Sequence, residues 1–548
     1  MTSVALSIDQ NCHPLWDVIP KLDALRAAGY SPVHFIEDVD MAFSAPGAEV
    51  DKPDLRLALE RFHRSGGADW GAALFYSEFL GRLPVEIRDW EDLTGLSTTA
   101  LAKQLGRSVD ALYDEFSPGD NWQLIGSSYV GDRRHHRTIA DLPVVEVEEF
   151  LRRIMRTAKT DMLRRFPDTA ARDRLSGWFA REQDRLEKLL DRRADGLLVE
   201  LYRDWLGAWV NGCDLRSSSE LFTTGGDTER TALLDYFVRD YAAAAELYNE
   251  ALAEANSPLR PLNTDKGELP FFAVFTHNGH TVRASVLLEN GKLRTGHRSF
   301  NLADGGLPVG RLRDEGVVAL AGKAVLLTIQ ARLGDGGRPL ALPHRGSLYM
   351  PASHRLAEKL LARREASALA AELLPERIVP ILRVRLRLLD RMSAVQTSIR
   401  LPRHLAEWFG RETVSASELT AHWADAAEQA RQRLASFRDE EGRRRWQQNA
   451  CGELVKRIAS LDAERRRLAE ENPKQPRIRE VSREVKSLDV ELTERTLRRV
   501  ADDTQLAELD YWDSRGAILP WSIALGGEEF YRHVIDRAEV CPETPDDV

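Results

Sequence analysis

Three carboxylates follow an apolar segment near the start of the chain. Glu37, Asp38 and Asp40 come directly after the sequence PVHFI at positions 32–36. Carboxylates at the end of a strand can accept the proton of an attacking amine, or can neutralise phosphates together with a divalent ion. A solvated loop with a helix N-cap is the alternative interpretation. The triplet is the candidate catalytic group, and no set of metal-ligating residues is predicted.

A second polar group follows the apolar segment VALSI at positions 4–8. Its candidate substrate-binding residues are Asp9, Gln10, Asn11 and His13. Cys12 beside His13 is also a possible nucleophilic thiol with its base, but neighbours in sequence usually point apart and no third orienting residue is evident. A substrate-binding role for His13 is therefore favoured over covalent catalysis.

A dense cationic cluster follows a predicted buried strand, WQLIGSSYV at positions 122–130. Its members are Arg133, Arg134, His135, His136 and Arg137. Guanidinium groups bind carboxylates and phosphates through paired hydrogen bonds. The cluster is a candidate site for an anionic substrate group, and a solvated charged loop is the alternative.

Two further motifs are typical of known chemistry but lie in the wrong context. Positions 277–280 spell the HxGH motif of class I nucleotidyl-transfer enzymes, in which two histidines contact ATP phosphates. That motif opens a helix after a strand, whereas Asn-Gly between alternating runs predicts a hairpin turn. Positions 96–116 resemble a DNA-binding helix-turn-helix, but Asp110, Asp114 and Glu115 on the second helix would repel phosphate. We predict a hairpin and an internal helical pair instead.

The predicted elements bring the first two polar groups together. Between the apolar segments 4–8 and 32–36, apolar residues recur every three or four positions, and Gly29 follows them as a helix C-cap. Strand, helix and strand at this spacing predict a βαβ unit, whose parallel strands bind ligands at their carboxyl ends. Further strands are predicted at 122–130, 324–327 and 378–382. The strand near Trp122 is assigned to the same core as the first two.

The sequence changes character twice in its second half. From Pro270, alternating apolar runs separated by two Asn-Gly turns predict a small antiparallel meander at about 270–300. From about residue 416, Ala, Arg, Glu, Gln and Leu predominate. Apolar residues there recur at spacings of three and four on both sides of a two-proline turn at 473–476. This pattern predicts an antiparallel coiled-coil hairpin.

The composition restricts the class of protein. The chain has 548 residues and a formal net charge of −10, so general attraction to nucleic acid or to anionic membranes is not expected. Its four cysteines form no CxxC pair, which indicates neither a zinc knuckle nor a disulfide scaffold. No segment approaches the ~18 consecutive apolar residues of a membrane helix, and no targeting segment is evident. We expect a cytoplasmic protein with neither nucleic-acid nor membrane partners.

Motifs along nearly the whole chain resemble the cysteine-adding enzymes of bacillithiol biosynthesis. The matching positions are Ser7-Ile8-Asp9-Gln10-Asn11, Pro14-Leu15, Lys21, Phe35, Glu37-Asp38-Val39-Asp40, Leu269-Pro270-Phe271-Phe272 and Pro380-Ile381-Leu382-Arg383-Val384-Arg385. The sequence also departs from the family's patterns. Val39 stands where the family has a motif histidine, the first turn lacks glycines, and the segment around Tyr349 keeps only the tyrosine.

The resemblance implies an α/β fold. Its parts are a Rossmann-like parallel sheet core, a small antiparallel β insertion and a long C-terminal antiparallel coiled coil. The implied division places the core with helical insertions at 1–265 and the meander with the remainder of the core at 266–415. The coiled-coil hairpin follows at 416–510, and a segment that docks on the core ends the chain at 511–548.

The resemblance also implies an enzyme: a ligase that adds cysteine, or another amino acid, to the amine of a small sugar-derived acceptor. ATP, with Mg²⁺, is the expected co-substrate because the carboxyl group must be activated. Asp9, Gln10 and His13 would orient the acceptor, and one of the three carboxylates at 37–40 would take the amine proton. The Arg133 to Arg137 loop or Arg385 would hold an anionic group, and Tyr349 is a further substrate-binding residue. A catalytically inactive interaction protein is the alternative.

A homodimer is expected from the helical region. The second arm of the hairpin is shorter than the first, so an intramolecular pairing leaves Leu434, Phe437 and Trp446 without a facing surface. Large apolar side chains left in water forgo about 1.5–3 kcal/mol each. We therefore expect these residues to dock on the body of the protein or on a second subunit. The resembled family dimerises through this element, and we predict a homodimer.

Overall fold

The computed structural model describes residues 3–8, 15–40, 73–76, 87–109, 111–112, 122–124, 135–257, 259–334, 337–344, 349–513 and 517–544. The chain forms two compact units. Unit 1 comprises Met1–Phe79, Asn121–Thr397 and Tyr511–Val548, and unit 2 comprises Leu80–Asp120 and Ser398–Asp510. Each unit is thus built from segments that are separated along the chain.

The described strands are short, and most lie in unit 1. They are β1 (Ser3–Ile8), β2 (Tyr30–Ile36), β3 (Ala73–Tyr76), β4 (Trp122–Leu124), β5 (His136–Arg137), β6 (Asp214–Ser217), β7 (Glu268–His277), β8 (His280–Glu289), β9 (Lys292–Thr295), β10 (Arg298–Asn301), β11 (Val317–Gly322), β12 (Ala341–Pro343), β13 (Leu382–Arg385), β14 (Ser398–Arg400), β15 (Thr413–Ser415) and β16 (Glu539–Pro542).

Helices account for most of the described residues. They are α1 (Leu15–Ala27), α2 (Ile87–Thr94), α3 (Thr98–Leu105), α4 (Val144–Arg165), α5 (Thr169–Arg192), α6 (Leu198–Gly207), α7 (Ser218–Leu221), α8 (Thr228–Arg239), α9 (Tyr241–Glu254), α10 (Val309–Asp314), α11 (Ala324–Ala331), α12 (Met350–Ala366), α13 (Ala368–Leu373), α14 (Leu388–Arg391), α15 (Arg403–Phe409), α16 (Ala416–Phe437), α17 (Glu440–Ala450), α18 (Gly452–Glu471), α19 (Pro476–Ala507), α20 (Leu509–Trp512) and α21 (Ile518–Asp536). None of these described helices has the length and apolar character needed to cross a membrane.

The predicted βαβ unit is present at the start of unit 1. Strands β1 and β2 pair in parallel, and α1 connects them. The apolar positions of α1 are buried, with Ile19 and Leu22 fully inaccessible to solvent. Gly29 follows with a φ of 85°, a left-handed conformation that glycine adopts without strain. The mixed α/β class is therefore confirmed.

Two predicted strands are corrected. The third strand of the parallel sheet is β6, which pairs with β2, whereas β4 near Trp122 forms a separate antiparallel pair with β3. Positions 324–327 begin α11 and do not form a strand. Periodicity cannot separate a buried strand from a buried helix in so short an apolar run, and here the run continues to Ala331 as a helix buried on most sides.

The predicted meander forms the centre of a larger antiparallel sheet. Its strand order is β10-β9-β8-β7-β11, and β5 pairs with β8. Both Asn-Gly turns have positive φ at both residues, with 50° and 81° at Asn278 and Gly279 and 50° and 70° at Asn290 and Gly291. Such turns match the twist of the flanking strands, which explains the strength of the sequence signal.

The last described helix and strand pack within unit 1. Tyr531 on α21 donates a hydrogen bond to Asp23 on α1 at 2.8 Å. Arg174 on α5 donates to the backbone carbonyls of Ala524 and Leu525 at 2.7 and 3.1 Å. Strand β16 pairs with β13, which also pairs with β12. These contacts join the segment after residue 511 to elements from early in the chain.

Unit 2 contains the predicted helical hairpin. Helices α18 and α19 run antiparallel, because Arg457 pairs with Glu484 at 2.7 Å while Arg477, near the turn, pairs with Glu464 at 3.2 Å. The apolar contact between the two helices is formed by Leu461, Val481 and Val485, with Ile458, Leu468 and Leu488 packed against it.

The apolar residues expected to need a further surface are covered within unit 2. Phe437 is fully buried and clusters with Leu93 of α2 and Val500 of α19, while Leu434 and Trp446 pack against this cluster. Helix α19 extends for 32 residues, far enough to reach α16 as well as α18. The length comparison that left these residues uncovered was wrong, because it did not include the far end of α19 or the contribution of α2.

Candidate functional site

The three predicted carboxylates are buried at the carboxyl end of β2. Glu37, Asp38 and Asp40 are 4%, 5% and 6% exposed. Asp38 accepts hydrogen bonds from the Ser218 hydroxyl at 3.0 Å and from the backbone N–H and hydroxyl of Ser219 at 2.8 and 2.6 Å. It therefore binds the amino end of the short helix α7, which follows β6, and joins two neighbouring parallel strands where they end.

Asp40 forms an ion pair with Arg283 of β8. The Arg283 guanidinium lies over the ring of Phe272, with its central carbon 4.1 Å from the ring centroid. Both members of the ion pair are about one-tenth exposed or less. The contact links the parallel sheet to the antiparallel sheet. The buried Arg283 guanidinium therefore lies at the carboxyl end of β2.

A second ion pair, partly buried, lies on the same aromatic ring. The Lys323 ammonium is 5.1 Å from the centroid of Phe272 and 2.8 Å from Glu268. Burial lowers the pKa of Lys323, Glu268 opposes this effect, and the nearby Arg260 and Arg283 lower it further. Burial alone would raise the pKa of Glu268, but Lys323 and its other partners lower it on balance. The cluster thus contains two cations and two carboxylates, and its lysine loses its proton more readily than usual.

The predicted cationic loop has a different arrangement from the one expected. His136 and Arg137 form β5, and Arg137 is paired with Asp141 and with Glu146, the latter at 3.1 Å. The Arg137 guanidinium therefore pairs with carboxylates of the protein itself, and this favours a structural role over binding of a substrate anion. Arg133 and Arg134 lie outside the described residues. His135, the remaining member, contacts other histidines.

The segment that follows this loop contacts the exit of β2 through its backbone. The Ile139 N–H donates to the carbonyl of Asp40 and the Ala140 N–H to that of Asp38, both at 3.0 Å. The backbone of Asp38 and Asp40 is therefore held by this segment, in addition to the contacts that Asp38 makes with α7. This bracing fixes the positions of the carboxylates.

Three histidines converge on the antiparallel sheet. His135 precedes β5, His277 ends β7, and His297 lies in the turn between β9 and β10. The Nε2 atom of His135 is 3.1 Å from Nδ1 of His297, and the rings of His135 and His277 stack with centroids 4.1 Å apart. Positions 277–280 form a hairpin turn as predicted, and His280 pairs with Asp141 at 2.8 Å.

The contacts described above join the remaining predicted site residues neither to the ion pairs around Phe272 nor to the three histidines. Tyr349 precedes α12 and packs against the core beneath the meander. Arg385 ends β13, in the sheet completed by β12 and β16. Asp9, Gln10, Asn11, Cys12 and His13 lie outside the described residues.

Sequence reasoning missed Arg283, Lys323, Glu268 and His297. The sequence offers no signal for the first of these, because Arg283 occupies a polar position of the alternating run TVRASVLLE, on the face opposite to Val282 and Ala284, and only tertiary packing buries it. The other three are separated from their partners by loops or whole elements, and no spacing rule connects them.

No protein-family model matches the chain, and no curated protein is significantly similar to it.

Proposed function

We propose that the protein is a carbon–nitrogen ligase of the cysteine-adding type, with a Rossmann-like core, which joins an amino acid to the amine of a small sugar-derived acceptor. The resemblance of its motifs to the bacillithiol-biosynthesis enzymes supports this proposal. The observation that carries it is the burial of Glu37 and Asp40 at the carboxyl end of a parallel strand, where α/β proteins bind ligands.

The chemistry assigns distinct roles to the three carboxylates. When an amine attacks an activated carboxyl group, a base must take the proton that the nitrogen releases. Glu37 is the proposed base. Asp38 is a positioning residue, since both of its oxygens accept hydrogen bonds from Ser218 and Ser219. Asp40 holds Arg283, which is proposed to face the negative charge that develops on the reacting oxygen.

ATP is the proposed co-substrate, because a free carboxylate does not form an amide without activation. Arg283 and Lys323 are each paired with a carboxylate. A phosphate group would therefore have to exchange with Asp40 or Glu268, or bring Mg²⁺ to neutralise them. A cytoplasmic location belongs to the same proposal, since ATP and small thiols are available there.

The test is a direct assay of the purified chain. It is incubated with ATP, Mg²⁺, cysteine and an amino-sugar acceptor, and the condensation product is detected by mass spectrometry together with the nucleotide released. A second arm replaces cysteine with a mixture of other amino acids. If no arm gives product or releases nucleotide, the ligase proposal is contradicted. The alternative, a catalytically inactive interaction protein, is then favoured.

Glu37→Gln is expected to lower turnover by about 10²-fold, the scale of general-base catalysis, with little change in thermal stability. The glutamine keeps the size of the side chain but cannot accept the proton. The matched control is Glu358→Gln on the exposed face of α12, which should retain full activity. Full activity in Glu37→Gln would remove this residue from the mechanism. Asp38→Asn should instead lower stability, because the carboxylate binds the amino end of α7.

The homodimer and its coiled coil remain proposals. Sedimentation equilibrium at micromolar concentration should give about twice the chain mass of 61.8 kDa. Because Phe437 and Trp446 pack within unit 2, Trp446→Glu is expected to destabilise that unit. A mass equal to that of one chain for the unmodified protein would contradict the dimer.

A further inference from the structure

The three histidines described above form a compact group of potential ligands. One ring nitrogen from each of His135, His277 and His297 lies within 4.8 Å of those of the other two. A tetrahedral Zn²⁺ with bonds of about 2.0–2.1 Å holds its nitrogen ligands roughly 3.3 Å apart. The separation of 3.1 Å between His135 Nε2 and His297 Nδ1 is close to that value. The His277 ring stacks on that of His135, so it must rotate to direct its nitrogen at the same ion.

A glycine beside the His135 ring leaves the space that this group of histidines occupies. Gly296 has a φ of 57°, and a Cβ atom at this position would lie 2.3 Å from Nε2 of His135. Only a residue without a side chain allows the His135 ring to reach His297. The rings of Phe275 and His135 pack in a T-shaped arrangement with centroids 6.1 Å apart. The Arg298 guanidinium lies over the Phe275 ring, 4.3 Å from its centroid.

The three rings differ in their exposure to solvent. His135 is buried, His277 is half-buried and His297 is exposed. A bound ion would therefore have one side enclosed by the sheet and one side open to solvent. Three protein ligands with an open fourth position are typical of zinc sites that hold water or an exchangeable ligand, whereas closed structural sites use four protein ligands.

We propose that His135, His277 and His297 bind a divalent transition metal ion of the zinc class. Imidazole nitrogens suit Zn²⁺, Co²⁺, Ni²⁺ and Cu²⁺ and do not suit Mg²⁺ or Ca²⁺, which take oxygen ligands. The side-chain nitrogen of Asn278 lies 3.2 Å from Nε2 of His277. Turning this amide over would place its oxygen there to accept the ring N–H when Nδ1 binds the ion, which is the role of an outer-shell partner. The site is separate from the carboxylates of the proposed ligase and does not depend on that activity.

The experiment is a metal titration of the purified full-length chain after dialysis against a chelator. Zn²⁺ binding is followed by calorimetry, and Co²⁺ binding by its visible d–d absorption, which is intense in tetrahedral sites. One equivalent per chain is expected, with a rise in melting temperature on metal addition because the ion binds the folded state. The absence of both the calorimetric and the Co²⁺ signals would overturn the proposal.

Matched variants locate the site. His297→Ala is expected to weaken Zn²⁺ binding by about 100-fold or more, since loss of a ligand should cost at least as much as loss of an outer-shell partner. His297 is exposed, so this variant should fold, which its metal-free circular dichroism and melting temperature will show. His280→Ala, which removes a histidine of the same hairpin outside the cluster, should bind as the parent does.

A third variant tests the geometry without removing a ligand. Gly296→Ala should displace His135 and weaken binding although all three histidines remain. Equal affinity in the parent and in His297→Ala would overturn the proposal. It would also be overturned by a sulfur-to-cobalt charge-transfer band, which would identify a thiolate such as that of Cys213 or Cys541 as the ligand.

Discussion

Replacing Glu543 by alanine is expected to lower the free energy of unfolding by about 3–5 kcal/mol. Glu543 follows β16 and forms an ion pair with Arg383 of β13, whose side chain is 2% exposed. The Arg383 guanidinium also donates to the carbonyl of Pro343 at 2.9 Å, which fixes it inside the sheet. Removal of the glutamate leaves a buried charge without compensation, and that desolvation cost is the main part of the expected loss.

The matched control is an ion pair that joins β16 to the residues just after β13. Glu539 contacts Arg387 at 3.1 Å, but both side chains are more than one-third exposed. Glu539→Ala should therefore cost no more than about 1 kcal/mol. Urea denaturation at neutral pH measures both variants. Similar losses in the two variants would show that the cost does not come from burial. A double replacement, Arg383→Met with Glu543→Leu, should recover much of the stability.

Acid should reproduce the Glu543 effect in the unmodified protein. Burial alone would raise the pKa of Glu543, but His354 at 2.5 Å and Arg383 together lower it below its ordinary value of 4.5. A carboxylate with a lowered pKa in the folded state stabilises the protein above its unfolded pKa, and this contribution is lost as the pH falls through the folded value. The stability gap between parent and Glu543→Ala should narrow below about pH 4.5.

Asp502→Asn in unit 2 is expected to stabilise the protein above pH 6. Burial raises the pKa of Asp502 from 3.8 to about 6, although Arg403 at 2.6 Å partly offsets the effect. The folded state binds more protons than the unfolded state between these two values, so stability falls as the pH rises through this window. An asparagine removes the cost of ionisation, which amounts to at most roughly 3 kcal/mol.

The pH dependence distinguishes this prediction from a simple packing effect. Thermal unfolding at pH 4, 5, 6 and 7.5 should show a difference between variant and parent that is small at the lowest pH and largest at the highest. A variant that is less stable than the parent by the same amount at every pH would contradict it. The neighbouring Asp503 is the control, because it is fully buried between Arg433 and Arg499 and its replacement by asparagine should destabilise unit 2.

The parts of the fold that the sequence predicted are those coded by local spacing. Helix α1 has apolar residues at helical intervals, and the Asn-Gly turns of the meander require a backbone that few other residue pairs adopt readily. Strand β6 was missed because its sequence, DLRS, contains a single apolar residue and no alternation. It is a strand because the edge of β2 is available beside it, and that is information from the tertiary structure.

The candidate site likewise has a part that local sequence predicts and a part that only tertiary structure brings together. The carboxylates at 37–40 were found because they follow an apolar segment directly, and the structure places them at the end of β2 as expected. Their partners Ser218 and Arg283 come from elements more than 150 residues away in sequence, so a single sequence cannot pair them. His135 was noticed for its charged neighbours, whereas its partners in the cluster come from two turns of the meander.

The interleaving of the two units has a consequence for synthesis on the ribosome. Asp23 and its partner Tyr531 are 508 residues apart, so one emerges long before the other. At about 5–20 residues per second, this delay is roughly 25–100 s. Helix α1 and strand β13 therefore wait for their C-terminal partners while unit 2, whose longer segment lies between them and those partners, can already collapse. During that interval the part of α1 that packs on α21 is open to chaperones. The rate of chain elongation, not of local folding, sets when unit 1 closes.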